Sequence, residues 1–416
     1  MKKILILSFG LFLLFSLLLY GYLFHWANTD IPKQLIGTAS DPSTFMNQKE
    51  LLLSKEYSTI KDFLFFVSTA WSALLLVIII TTKWTYKWEL FSKSAVKNKF
   101  LQLTSYLFIF SLFTTFASLP IDYYGYKLSV SYGISVEQPS DWVRDEIINF
   151  WISFALSLVV IQVLYYMMQK STKKWWLYTW LLSIPFTLFL TFIQPVLIDP
   201  IYNDFTPLQN KELETKIIEM AKKADIPANK VYQVNMSEST TSLNAYVTGI
   251  GKNSRIVLWD TTLEKLSDDE ILFIMAHEMG HYVKKHVYIN IATYLLLTLV
   301  GLYLCYKIMT RITTKHGEKM GIVNKQGFTM IPLLFLLSSL LGVVSDPLTN
   351  LQSRMHEVDC DKYALKMTGN TDAAIKTFQE LSRIGLDDVH PPLIIKVWRN
   401  SHPSILERIE YIKNNE

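Results

Sequence analysis

The sequence predicts a mainly α, multi-span helical membrane protein of about seven transmembrane helices, with a small β element on a polar segment between two of them. Three observations point there. Half of the 416 residues are hydrophobic, and the mean hydropathy is +0.22. The apolar residues gather in runs long enough to cross a bilayer, which takes roughly 20 residues of helix. Trp84, Trp88, Trp175 and Trp176 sit at the ends of such runs, where amphipathic rings favour the membrane interface.

The first run, 4–24, follows Lys2 and Lys3. It is long for the apolar core of a signal peptide, and no small-residue cleavage site follows it. It is read as a retained span. Further runs occupy 63–82, 101–120, 147–168, 177–198, 287–309 and 328–345. The mixed stretches 24–60 and 121–145 read as loops outside the membrane. The lysines cluster between runs, and the net charge is only +4. No basic face is interleaved with aromatics, so nucleic acid is not an expected partner. Cys305 lies within an apolar run, so the two cysteines are expected to be unpaired.

The longest polar stretch is 199–286. Pro195, Pro200 and Pro207 break the chain as it leaves the membrane. Residues 211–224 have helical periodicity, and 231–234 and 255–259 read as short strands. Ser267 and Glu270 form a capping box before the apolar residues Ile271, Leu272, Ile274 and Met275. That helix carries His277-Glu278-Met279-Gly280-His281, an H-E-x-x-H motif. Residues i and i+4 share a helix face, so the two imidazoles can converge on one ion. Glu278 adjoins that face, within reach of a water at the metal, and is the expected catalytic base. Zinc suits imidazole and carboxylate donors, and one Zn2+ per chain is expected. His286 lies five residues beyond His281, about 140° around a continuing helix, and no metal role is expected for it.

A catalytic zinc needs a third protein ligand. Glu357 and Asp361 are i,i+4 neighbours on a helix leaving the last span. Glu357 is the expected ligand, and Asp361 the partner that orients a ligating histidine. His356 is the rival ligand, about 100° around the helix from Glu357. The chain then divides into a five-span membrane part (1–198), a zinc-binding catalytic segment (199–286), two further spans (287–345) and a helical C-terminal part completing the site (346–416). A transporter or a catalytically silent scaffold with a structural zinc is the alternative. Charges within the spans would favour a transporter, and the spans are nearly free of them; the presence of ligands and base together argues against a silent scaffold.

These motifs resemble those of the type I CAAX prenyl endopeptidases and their bacterial relatives. H-E-M-G-H is paired with a distant Glu357-Val358-Asp359-Cys360-Asp361, where Cys360 replaces the family's usual alanine. The likeness includes Pro207-Leu208 at the exit from the fifth span, the Asn244-to-Gly249 strand, 255–261, and Ser401-His402-Pro403 through Glu407-Arg408. The resemblance implies a multi-span zinc metalloprotease of the cell membrane with a zincin-like catalytic domain. It implies that Asn244 and Ala245 lie on an edge strand that binds peptide, that His402 is a transition-state donor, and that Arg408 braces the site. It also implies a peptide or protein substrate, with lipidated CAAX processing and membrane-protein quality control both open. The short path from the second strand to the zinc helix is similar to that of bacterial members.

Topology divides the two lines of argument. Positive residues favour short cytoplasmic loops. Lys2 and Lys3, Lys83 to Lys99, Lys170 to Lys174 and Arg311 to Lys325 fall on one side of a seven-span layout. The charge rule therefore expects the active site outside the cytoplasm, whereas the resemblance to eukaryotic members implies the cytosolic side.

Overall fold

The structure is a computed structural model describing residues 1–228, 230–248, 255–322, 324 and 326–415, and for 193–197 the backbone alone. Gly249, Lys325 and the Pro195 side chain lie outside the described residues. Among the described residues, seven helices are long and apolar enough to cross a membrane. They are α1 (Lys2–Gly21, continued by a wider turn to Trp26), α2 (Gln48–Thr81), α4 (Lys99–Ser131), α5 (Pro139–Lys170), α6 (Trp175–Leu197), α11 (His286–His316) and α12 (Ile331–Thr368, entered through a turn at Phe328–Met330). A short amphipathic helix, α3 (Trp84–Ala95), lies between α2 and α4.

The helices outrun the apolar runs. α2 starts at Gln48, inside the stretch read as a loop, because Asn47 and Glu50 form a reciprocal capping box. α4 continues through Pro120 to Ser131, into another expected loop. There the Tyr126 ring stacks on Trp142 at 5.2 Å, and its hydroxyl donates to the Glu137 carbonyl at 3.0 Å. Contacts with the start of α5 thus hold turns that the polar composition had argued against. α12 runs for 38 residues without a break, although it contains Pro347. The expected division at 345 falls inside it.

The polar segment folds as α7 (Asp199–Tyr202), β1 (Phe205–Pro207), α8 (Lys211–Lys223), β2 (Val231–Val234), β3 (Ala245–Thr248), β4 (Arg255–Trp259), α9 (Asp260–Lys265) and α10 (Asp268–Val283). The sheet order is β1-β2-β4-β3, so β3 is an edge strand. β2 and β4 pair in parallel at the centre, with Val231 opposite Ile256, and the outer strands are antiparallel. The tail forms α13 (Thr371–Gly385), α14 (Leu393–Trp398) and α15 (Ile405–Lys413).

α10 has two apolar faces. Ile271, Met275 and Met279 pack beneath the sheet with Val231, Ile256, Leu258 and the Leu213–Ile217 face of α8. Phe273 and Ala276 pack on Phe378 of α13 and on Ile409 and Ile412 of α15. Full burial of such side chains contributes about 1.5–3 kcal/mol each. The remaining stripe carries His277, Glu278 and His281. It meets α12 closely because position 280 is glycine: a Cβ there would lie 3.2 Å from the Cys360 sulfur and 3.3 Å from its Cα. In α12, Glu357, Cys360, Asp361 and Ala364 are buried on the facing side. Cys305 and Cys360 are both buried and unpaired, as expected.

Candidate active site

The Ser267 and Glu270 capping box is formed as expected, and it starts α10 three turns before the motif. On α10 and α12, three donor groups converge. His277 Nε2 lies 3.2 Å from His281 Nε2 and 3.1 Å from Glu357 Oε2, and His281 Nε2 lies 3.2 Å from Glu357 Oε1. Three ligands of one tetrahedral ion at ~2.0–2.2 Å would stand about 3.3–3.6 Å apart, a few tenths of an ångström wider.

The proton positions support the fit. Asp361 Oδ1 lies 2.8 Å from His277 Nδ1, and it accepts that ring proton. Neutral His277 then presents a lone pair at Nε2, facing a carboxylate oxygen. Glu357 Oε2 is buried and has no hydrogen-bond partner. Two occupants can fill this gap. One is a second proton on His277: burial lowers its pKa, but the contacts with Asp361 and Glu357 outweigh that and hold it at about 9. The other is a metal cation, which releases that proton on binding.

A second layer holds the ligands. Arg408 Nε donates to Asp361 Oδ2 at 2.9 Å and one Nη donates to Oδ1 at 2.5 Å. The guanidinium lies 4.3 Å from the centre of the Phe378 ring. Ser404 and Glu407 cap α15 reciprocally and so fix the turn that carries Arg408. Burial disfavours the guanidinium charge, but Asp361 more than compensates and keeps it ionised.

Glu278 is half-buried beside the donors. Burial raises its pKa above the usual carboxylate range, and the charges of His277 and His281 offset this only in part. His402 Nε2 lies 3.5 Å from Glu357 Oε2, with the ring open to the cleft. The surrounding protein lowers its pKa, and Ser401 Oγ lies 3.0 Å from its Nδ1. With the serine hydroxyl donating, the imidazole is neutral and offers an N–H at Nε2.

Asn244 and Ala245 sit at the start of the edge strand. The Asn244 carbonyl accepts from Trp259 N–H at 3.1 Å and from the Thr262 hydroxyl at 2.8 Å. Alternation along an antiparallel pair then turns the main-chain groups of Ala245 and Val247 away from β4. Asn244 and Ala245 line a cavity of about 640 Å³ with His277, Glu278, Glu357, His402 and Arg408. The same cavity reaches Tyr57, Lys61 and Asp62 of the membrane span α2. That wall had no signature in the sequence, since these residues sit singly on a helix far from any motif.

Seven of the nine residues expected at the site line this cleft, and His281 and Asp361 adjoin it through their contacts with His277. His356 points elsewhere, with its ring stacked on His286 at 3.9 Å. His286 departs from the angle argument. α10 ends at Val283, and Lys285 adopts a left-handed φ of 58°, so His286 opens a new helix. Its ring returns to within hydrogen-bond reach of His281, with Nδ1 3.1 Å from Nδ1. No Gly or Pro marks that break. Cys360 also comes near: one ligand atom each of His277, His281 and Cys360 fall within 4.8 Å of one another. Its sulfur lies on the Nδ1 side, 3.6 Å from His286 Nδ1, whereas the Glu357 oxygens face both Nε2 atoms.

Fold and site together define a metalloprotease embedded in the membrane. The chain belongs to peptidase family M48, which residues 207–416 match, while residues 22–204 match the CAAX prenyl protease N-terminal family of five membrane helices. It is 47% identical over 405 residues to an uncharacterized metalloprotease, YhfN, of Bacillus subtilis (strain 168), covering 97% of this chain and 95% of that one. It is 27% identical to a CAAX prenyl protease 1 homolog of Dictyostelium discoideum, over 97% of this chain and 95% of that one. The crystal structure of S. mikatae Ste24p has the same fold: its TM-score is 0.84 at 23% identity, covering 98% of each chain. The protein is a multi-pass membrane metalloprotease.

Proposed function

We propose that the protein is a zinc metalloendopeptidase in which His277, His281 and Glu357 hold one Zn2+ and Glu278 is the general base. The observation that carries this reading is the triangle of three donor atoms around a buried carboxylate oxygen that no hydrogen-bond donor satisfies. When bound, the ion supplies a Lewis acid that polarises the scissile carbonyl and acidifies a water.

The chain's own residues do the rest. An extended peptide adds to the β3 edge through the outward main-chain groups of Ala245 and Val247. The Asn244 side chain helps to fix the scissile carbonyl. Glu278 takes a proton from the attacking water and delivers it to the leaving amine. His402 donates its Nε2–H to the oxygen that becomes negative. Asp361 and Arg408 hold His277 in the tautomer that leaves Nε2 free.

The substrate is a peptide or protein that enters beside α2, so a lipidated or membrane-anchored chain fits the cleft. The test is to cleave a peptide series with and without a lipidated cysteine, using metal-loaded and chelator-treated protein. Cleavage that survives removal of all metal would refute the reading. Equal cleavage of both series would favour quality control over CAAX processing.

The orientation we infer is that of the charge rule, with the site outside the cytoplasm. Its support is that the lysine-bearing loops lie at one end of the bundle. Gln169 donates to the Gln326 carbonyl at 2.6 Å, and Gly321 lies against Lys83 and Tyr86. A cysteine at Asn414, in a Cys305 and Cys360 replacement background, should react with an impermeant thiol reagent in intact cells. Reaction only after lysis would reverse the orientation.

A further inference from the structure

The two histidines of the motif are braced in different ways, and only one brace follows the motif. His277 gives its Nδ1 proton to Asp361. His281 has no carboxylate or carbonyl at that atom among the contacts described. Its Nδ1 faces the Nδ1 of His286 at 3.1 Å, with the rings near perpendicular at 77°. His286 is 3% exposed. It is fixed on one face by the His356 ring, parallel within 4° at 3.9 Å, and Cys360 Sγ lies 3.6 Å from its Nδ1.

We propose that His286 is the positioning residue for His281, accepting the Nδ1 proton so that Nε2 is held as a lone pair towards the metal. This rests on the zinc reading above. Of the two ways to share one proton between the Nδ1 atoms, only this one is compatible with a metal at His281 Nε2. A proton on His286 Nδ1 would force the His281 proton onto Nε2 and block that ligand. His286 is therefore neutral, with its own proton on Nε2. The stack on His356 fixes the ring plane, which gives that histidine a packing role. Since His286 is the first residue of the membrane span α11, the second ligand is held from the membrane helix rather than from the catalytic sheet. The left-handed Lys285 makes this possible by turning the chain back at the end of α10.

The test measures zinc affinity in detergent-purified full-length protein, together with the melting temperature of the metal-free form. H286F keeps a flat ring against His356 but removes the acceptor, and H286Q restores an acceptor through its amide oxygen. H286F should weaken zinc binding by about 10–100-fold, the usual effect of losing an outer-shell partner. H286Q should recover most of that loss. H356F should leave affinity within about threefold, since it touches no ligand. The metal-free melting temperatures should be equal. H286L replaces H286F if the larger ring prevents folding. Wild-type affinity in H286F overturns the proposal, and so does a loss that H286Q shares in full. If the wild-type protein itself binds no zinc, the functional reading fails instead.

Discussion

Helix α12 meets a buried carboxylate of α3 at its start and carries another, Glu357, in its C-terminal half, and the two are satisfied differently. At its start, Glu89 of α3 is 6% exposed; it accepts the Thr329 N–H at 3.1 Å and pairs with Lys93. It caps the turn that opens α12, where the helix dipole also favours a negative charge. In the C-terminal half, Glu357 is 4% exposed, and its Oε2, 3.1 Å from His277 Nε2, is left unsatisfied whenever that ring is neutral. An unsatisfied buried oxygen costs about 1–3 kcal/mol. The chain supplies donors where a carboxylate only holds the fold together. It withholds one at the oxygen where we propose a cation.

Substitutions can break that contrast. The largest effect is expected from Glu357→Ala. Zinc affinity should fall by at least about a hundredfold, beyond the range of an outer-shell loss, and activity should go with it, while the metal-free fold persists. His356→Ala should keep its metal. Metal analysis of the two purified variants decides, and the reverse order would move the ligand to His356.

Glu278→Gln should lower kcat by about 10²–10⁴-fold with zinc retained, because an amide cannot accept the water proton. Glu278 must be ionised to act, and burial raises its pKa. Activity should therefore fall as pH drops through the Glu278 ionisation in the zinc-loaded enzyme, where the nearby dication opposes the effect of burial. A zinc-loaded Gln variant that still cleaves well would remove Glu278 from the mechanism.

Asp361→Asn should weaken zinc binding by about 10–100-fold through loss of the charged partner of His277. Unchanged affinity would show that an uncharged oxygen at position 361 suffices to accept the ring proton. Glu89→Ala marks the other end of the comparison. It should cost about 1–3 kcal/mol of stability by stranding the Thr329 N–H, with no change in zinc affinity. A drop in affinity there would mean that the two carboxylate sites along α12 are coupled, and the contrast would fail.

Much of the molecule was legible in its residues. Seven apolar runs, two strands and the Ser267 capping box each follow from local period or composition, and each forms. His277, Glu278 and His281 share a short helical repeat, so their convergence needs no knowledge of the fold. The ends of α2 and α4 were not legible, because aromatic packing and a cap extend them past the apolar runs. Glu357 stands far from the motif in sequence, and only the crossing of α10 and α12 brings it to the histidines, through the close approach at Gly280 and Cys360. Asp361 arrives by the same crossing, whereas Arg408 and His402 are brought in by the packing of α13 and α15 on α10. His286 shows the limit most clearly: its helical angle from His281 argued against a metal role and gave no sign of a contact. The left-handed Lys285 ended that helix, and no residue type in the sequence announced it. Local periodicity determines what one helix face can bind, whereas contacts between distant segments depend on helix ends and crossings that packing alone decides.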